Sequence, residues 1–322
     1  MSRELAATLD QWLQDFLDDM LRRGYSQASH KVYRCDLLLF TAWVAEQEDL
    51  KNPGDLTTAI LEKYQMHLML RPSLHPRRSH PRTLSAGARN RHLASLRSFF
   101  RYLKKTCKLL SNPSLELERA REPKRIPKTV FSIPEMVRLL TVIPKKTAVG
   151  LRDWAAVEVL YGTGIRRKEL LGLKLPDLRL AEGLLHVLGK GNRERVVPLG
   201  KAARKALELY LRLGRPQLAK GEHTALLVSG HHGGPVSQTE LLEAIRKHAR
   251  QASIKKAVGF HLFRHTAATH LLRGGADLRS LQALLGHADL NATAIYTRVE
   301  ISDLQKTLQQ CHPREQDHEE DS

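Results

Sequence analysis

Cysteine is scarce in this chain, with only Cys35, Cys107 and Cys311 among 322 residues. An odd, scattered set supplies neither a disulfide framework nor a zinc site, and it suits a reducing compartment. Long apolar runs are missing as well. No stretch approaches the ~18 consecutive apolar residues of a spanning helix. The N-terminal MSRELAATLDQWLQDFLDD carries acids where a signal peptide would carry bases. The chain is therefore expected to be cytoplasmic, with no membrane association. Acidic side chains are in short supply: 34 Asp and Glu face 52 Lys and Arg, for a formal charge of +18 and a pI near 10. Solubility requires far less charge of one sign. The excess points to a polyanionic partner, either nucleic acid or an anionic membrane surface. Repeats at solenoid periods are lacking, which excludes that architecture.

Two common enzyme signatures are also absent. Gly183 to Lys190 has the outline of a phosphate-binding loop, but five residues separate its glycines where four are needed. Gly191 then stands where Ser or Thr must be, so no ATPase is expected. His261 and His265 share the i, i+4 spacing of a zinc pair, yet nothing follows the HExxH pattern, and no metal is expected.

What is present divides the chain in two, as its length suggests. The first third reads as amphipathic helices. Leu9, Trp12, Leu13 and Phe16 mark one over residues 5–22; a second follows Ser26 and carries Val32, Leu37, Phe40 and Trp43. A third spans 57–70 and stops at the Pro- and Arg-rich stretch 71–82. A fourth, over 86–105, sets Leu93, Leu96, Phe100 and Leu103 on one face and Arg97, Arg101, Lys104 and Lys108 beside it, so one face serves a core and the other is free to meet phosphates. Residues 119–128, RAREPKRIPK, read as an extended basic linker that includes Lys124 and Arg125. The boundaries expected are a helical domain over 1–118, the linker, a second domain over 129–311, and an acidic, disordered tail over 312–322.

The second domain mixes types. Ser132-Ile-Pro-Glu135 and Ser237 with Glu240 have the capping-box pattern of helix starts. Helices are expected over 152–160 and 167–173. Two strand-like runs, 184–188 and 195–199, flank a Gly-rich turn and read as a β-hairpin. The fold class is mainly α with a small β-hairpin or sheet in the second domain.

The chemistry concentrates in His261-Leu-Phe-Arg264-His265, in Leu285-Gly286-His287 with Tyr296 nine residues later, and in Gly164-Ile-Arg166-Arg-Lys-Glu169-Leu170 upstream. Any one of these has a plain structural explanation; together they do not. These segments resemble the catalytic domain of the tyrosine recombinases, the λ-integrase superfamily, and most closely its Xer-type branch. The resemblance is strong over about residues 130–300. It is looser in the first third, which is similar to the family's helical, SAM-like core-binding domain through Tyr33, Asp36-Leu37, Phe40 and Leu96-Arg97-Ser98-Phe99-Phe100.

That resemblance implies a role for each of six residues. The family's first arginine lies in a Gly-hydrophobic-Arg-x-x-Glu-Leu pattern, which selects Arg166. Its lysine sits in a hairpin turn matched by Gly189-Lys190-Gly-Asn-Arg-Glu-Arg195. Its His-x-x-Arg is His261 with Arg264, its second histidine is His287, and its nucleophile is Tyr296. Attack on phosphorus builds negative charge on the non-bridging oxygens, which the forked donors of Arg166 and Arg264 suit. His261 and His287 add donors or move the proton of Tyr296. Lys190 is the expected acid for the leaving 5′-oxygen. The resemblance further implies a 3′-phosphotyrosyl intermediate, no metal or ATP, and no cofactor. It also implies duplex DNA held by both domains, with Arg97, Arg101, Lys104, Lys124 and Arg125 as contacts. Four protomers, alike or of two kinds, would work on two DNA sites, with an activating partner protein as a further possibility. A short final helix capped at Ser302 would dock on a neighbouring subunit. Two departures stand out: Arg167-Lys168 follows the first arginine, and the 71–82 stretch is long. With no extra domain before the core-binding region, an integrase that also grips distant arm sites is disfavoured. Type IB topoisomerase-like relaxation and a non-cutting DNA-binding module of the same fold are the alternatives.

Overall fold

The computed structural model describes residues 2–72, 83–122, 130–189, 194–286 and 298–315. It forms two units, Met1–Ile126 and Pro127–Ser322, each with its own apolar core.

Among its described residues the first unit has four α-helices: α1 (Ser2–Arg22), α2 (Gln27–Ala45), α3 (Thr58–Leu70) and α4 (Ala86–Lys105). Ser26 and Ser85 start α2 and α4 by accepting the amides of Ser29 and Ala88, satisfying donors that a helix start leaves orphaned. Leu9, Leu13 and Phe16 from α1 meet Leu37 and Phe40 from α2, Tyr64 from α3, and Leu96, Phe100 and Leu103 from α4 in one buried cluster. Phe40 lies edge-on to both Tyr64 and Phe100, with centroids 5.1 and 5.8 Å away. A carboxylate is buried in this unit: Asp36, 3% exposed, accepts from Arg91 and from the Ser95 hydroxyl.

The second unit opens with α5 (Ile133–Val142), where Ser132 and Glu135 form the expected capping box. Next comes α6 (Ala148–Thr163), buried on every side from Gly150 onward. A helix buried all round is the centre of its unit. It carries Arg152 and Asp153 into the core as a bonded pair, with the Arg152 guanidinium also on the Val228 carbonyl and Glu240. Glu240 is therefore turned away from its own helix start. Ser237 accepts the Glu240 amide as expected, but the carboxylate goes to Arg152 and the Gly230 amide, because a buried guanidinium outbids an exposed cap.

After α7 (Arg167–Gly172) the chain makes an antiparallel sheet of β1 (Leu178–Arg179), β2 (Leu184–Leu188) and β3 (Glu194–Pro198), in that order. The hairpin is as expected from sequence; β1 was not, since two residues are too short to show an alternation. Leu185 faces Val197 and Val187 faces Arg195 across the hairpin. Helices follow: α8 (Lys201–Leu209), a π turn leading to α9 (Arg215–Leu218), α10 (Gln238–Gln251), α11 (Phe260–Arg273), α12 (Leu278–Leu285) and α13 (Arg298–Cys311).

Two expectations for the C-terminal end need correction. Ser302 lies within α13, which starts at Arg298, so it does not cap the helix. Residues 312–315, expected in a disordered tail, are packed. His312 is 1% exposed and bonds the Tyr161 carbonyl; Arg314 reaches Glu158 at 2.7 Å; and Glu315 accepts the Lys201 amide at 3.0 Å. Composition suggested solvent, but each polar side chain here has a partner on α6 or at the start of α8. Among the described residues no helix is long and apolar enough to cross a membrane.

Candidate active site

The site begins where α6 ends. Gly164 adopts a left-handed conformation (φ 62°), and a Cβ there would lie 2.7 Å from Leu285 Cδ2. A side chain there would be strained by the positive φ and would have to displace the Leu285 methyl. The turn delivers Arg166 in extended conformation as the N-cap of α7. Three residues on, Glu169 closes the turn by accepting the Arg166 amide at 2.7 Å and the Arg166 Nη1 at 2.9 Å.

Arg264 projects from the second turn of α11. Its Nη1 donates to the Gly164 carbonyl at 2.9 Å and its Nη2 to the Leu285 carbonyl at 2.7 Å. One residue further along the chain, the Gly286 carbonyl accepts Arg166 Nη2 at 2.7 Å. The two arginines thus grip successive carbonyls at the end of α12, and each keeps its Nε free of those bonds. Gly286 itself is left-handed (φ 64°), which turns the chain sharply out of α12.

Behind Arg166 lies a residue that sequence reasoning quoted only as the end of a motif. Arg195, on β3 and 7% exposed, places Nη1 and Nη2 on the two Glu169 oxygens at 2.8 and 2.9 Å. The carboxylate is saturated: each oxygen takes one donor from Arg195 and one from Arg166. Burial would raise the Glu169 carboxyl, but the Arg195 bonds and the Arg166 amide outweigh it and hold it below the usual carboxylate range. Arg264 is pushed down to about 10, first by burial and then by the charge of Arg166. It remains a cation at neutral pH. Arg166 and Arg195 bond this carboxylate and Arg264 feels its charge, so three cations face one anion and the cluster offers excess positive charge to a further anion.

His261 is exposed on the first turn of α11, on the same helix as Arg264. Lys190, His287 and Tyr296 lie outside the described residues. Of the expected DNA contacts, Arg101 and Lys104 are exposed on α4, whereas Lys124 and Arg125 lie outside the described residues. Arg97 differs: its guanidinium is bonded to the carbonyls of Ser114 and Leu117, where it holds the chain after α4. Lys108 pairs with Asp15 and lies 5.5 Å from the Trp12 ring centroid. The signal that could have marked Arg195 was present in the sequence. Alternation along β3 puts Arg195 on the face of Val197, where a charge needs a buried partner.

The pattern of the phage integrase family matches residues 131–302, and that of its N-terminal SAM-like domain matches residues 13–106. The chain belongs to the phage integrase family. It is a site-specific tyrosine recombinase of the Xer type, an enzyme that cleaves and rejoins DNA. Neither the topoisomerase-like nor the non-cutting alternative is favoured. Tyrosine recombinase XerC 2 of Ralstonia nicotianae is 38% identical over 95% of this recombinase and 86% of that protein. Tyrosine recombinase XerD of Listeria monocytogenes is 36% identical over 94% of this chain and 98% of its own. Among solved structures, XerH site-specific recombinase bound to palindromic difH substrate in a post-cleavage complex aligns with a TM-score of 0.64. That match covers 94% of this chain and 83% of the other at 20% identity, a likeness of fold.

Proposed function

We propose that this recombinase cuts duplex DNA at a specific site with Tyr296, under an arginine clamp made by Arg166 and Arg264. The observation that carries the reading is their convergence. Side chains 98 residues apart in sequence meet on consecutive carbonyls, Leu285 and Gly286, with their remaining donors unspent by those bonds. In this scheme the Tyr296 hydroxyl oxygen bonds phosphorus while the bond from phosphorus to the 5′-oxygen breaks. The tyrosine proton leaves through His261 or His287, and Lys190 supplies one to the departing 5′-hydroxyl. The non-bridging oxygens gain charge during the step and draw the guanidinium groups closer. The 3′-phosphotyrosyl ester conserves the energy of the phosphodiester, so a 5′-hydroxyl from another strand reverses the step without ATP. The reading extends to a cytoplasmic protein working as four protomers on two duplex sites. Both units would contact DNA, the first through Arg101 and Lys104, with residues 119–128 as the basic linker.

The test is covalent capture. The protein is mixed with fragmented DNA from its own host, denatured in detergent, and the attached DNA sequenced. Attached fragments should share one site, and Tyr296→Phe should yield none. Adducts that persist in Tyr296→Phe would place the nucleophile elsewhere. Fragments with no common sequence would remove the site specificity.

A further inference from the structure

The hairpin arginine has no role in that scheme, yet its surroundings are unusual for a strand residue. Arg195 is a cation on the inward, apolar face of β3, opposite Val187 and two residues from buried Val197. Its two terminal nitrogens fix both oxygens of Glu169, and that carboxylate in turn fixes Arg166 by main chain and side chain together. Among the described residues its Nε is buried with no acceptor. A Cβ at Gly286 would lie 2.9 Å from Arg195 Nε and Cζ, so the guanidinium plane also abuts the peptide whose carbonyl Arg166 holds.

We propose that Arg195 is a positioning residue: through Glu169 it locks Arg166 in the place where the scissile phosphate is clamped. The inference rests on the reading of Arg166 as that clamp. Glu169 alone has rotational freedom about its side chain. Saturated by a fork from a β-strand, it becomes a rigid post, and Arg166 inherits the rigidity. Loss of the fork leaves Arg166 present and charged but loosely placed, and a misplacement on the order of 1 Å costs about 10²-fold in rate.

The experiment compares Arg195→Gln, Arg166→Ala and the double variant, scoring covalent adduct formation in single turnover. The substrates are a nicked duplex carrying the captured site and the same duplex with a neutral methylphosphonate at the scissile position. DNA affinity is measured in parallel. Arg195→Gln should slow adduct formation about 10- to 100-fold with affinity unchanged. The double variant should be no slower than Arg166→Ala. On the uncharged substrate, where no clamp is required, both single variants should recover most of the loss. Multiplying defects in the double variant, or an Arg195→Gln loss that stays on the methylphosphonate while Arg166→Ala recovers, would overturn the proposal and leave the clamp standing. An Arg166→Ala enzyme as fast as the parent would instead remove the clamp itself, and the proposal with it. If Arg195→Gln does not fold, Arg195→Lys, which keeps the charge and loses the fork, is read the same way.

Discussion

At the scale of single residues, the candidate active site is held by backbone positions that favour glycine. Gly286 combines a positive φ with contact to Arg195, and these are separate penalties for any side chain. The left-handed conformation costs a non-glycine residue about 1 kcal/mol. The added Cβ would also push the guanidinium off Glu169 or pull the carbonyl off Arg166. Gly286→Ala should therefore lower the melting temperature by a few degrees and slow adduct formation far more than that small loss of stability accounts for. An alanine variant that is less stable yet reacts at the parent rate would show that the turn after α12 tolerates movement. The asymmetry between the two arginines of the proposed clamp follows from burial. Arg264 is pushed down to about 10 while Arg166 stays 36% exposed at its side chain, so under the proposed scheme an incoming phosphate would meet Arg166 first from solvent.

At the scale of elements, the end of α13 shows how a polar segment is tethered. His312 sits on the Tyr161 ring at 4.6 Å, its Nε2 on the Tyr161 carbonyl and its Nδ1 accepting the Arg314 amide. Both nitrogens are spoken for by a neutral imidazole. Burial pushes it down to about 4 from an ordinary 6.5, with His270 and Arg314 adding smaller amounts and the Tyr161 carbonyl opposing. Above pH 6.5 the ring is neutral in folded and unfolded states, and pH does not matter to it. As pH falls from there toward 4, only the unfolded chain takes up the proton, and stability falls by about 3 kcal/mol. Glu315 works against this at lower pH, because burial raises its carboxyl and protonation relieves it. The contribution of His312 is therefore the difference between the parent and His312→Gln. Melting followed from pH 7.5 to 4.5 should fall more steeply in the parent; parallel curves would refute the buried neutral histidine.

At the scale of the whole molecule, the charge of +18 is the dominant property. A basic protein gripping a polyanion displaces condensed counterions, so its affinity falls as a power of salt concentration. With the proposed arginine clamp and the exposed bases of α4 both engaged, binding to the captured site should weaken at least about 10³-fold between 50 and 200 mM salt. Replacing Arg101 and Lys104 together by Gln should flatten that dependence without abolishing cleavage at low salt. An unchanged salt slope would remove α4 from the DNA surface. Arg97 is not expected to matter in this way, since its guanidinium already serves the chain between Ser114 and Leu117.

Local pattern determined a good deal of this protein. Helical periodicity placed α2 and α4 closely and the Ser132–Glu135 box placed the start of α5, because a helix satisfies its backbone within a continuous segment and its signals sit in that segment. The hairpin was legible in the same way, from two apolar runs and a glycine turn. Arg166, His261 and Arg264 stood out because their spacing matched a known family, and α7 and α11 carry them. Tertiary structure alone decided the partners. Nothing in the sequence says that Glu169 belongs to Arg195 across 26 residues, that Glu240 leaves its own helix cap for Arg152, or that His312 enters the core. Charge in a sequence reads as solvent-facing. A buried ion pair is stable only through a partner that the fold brings near, and that partner becomes visible only when the chain has closed around it.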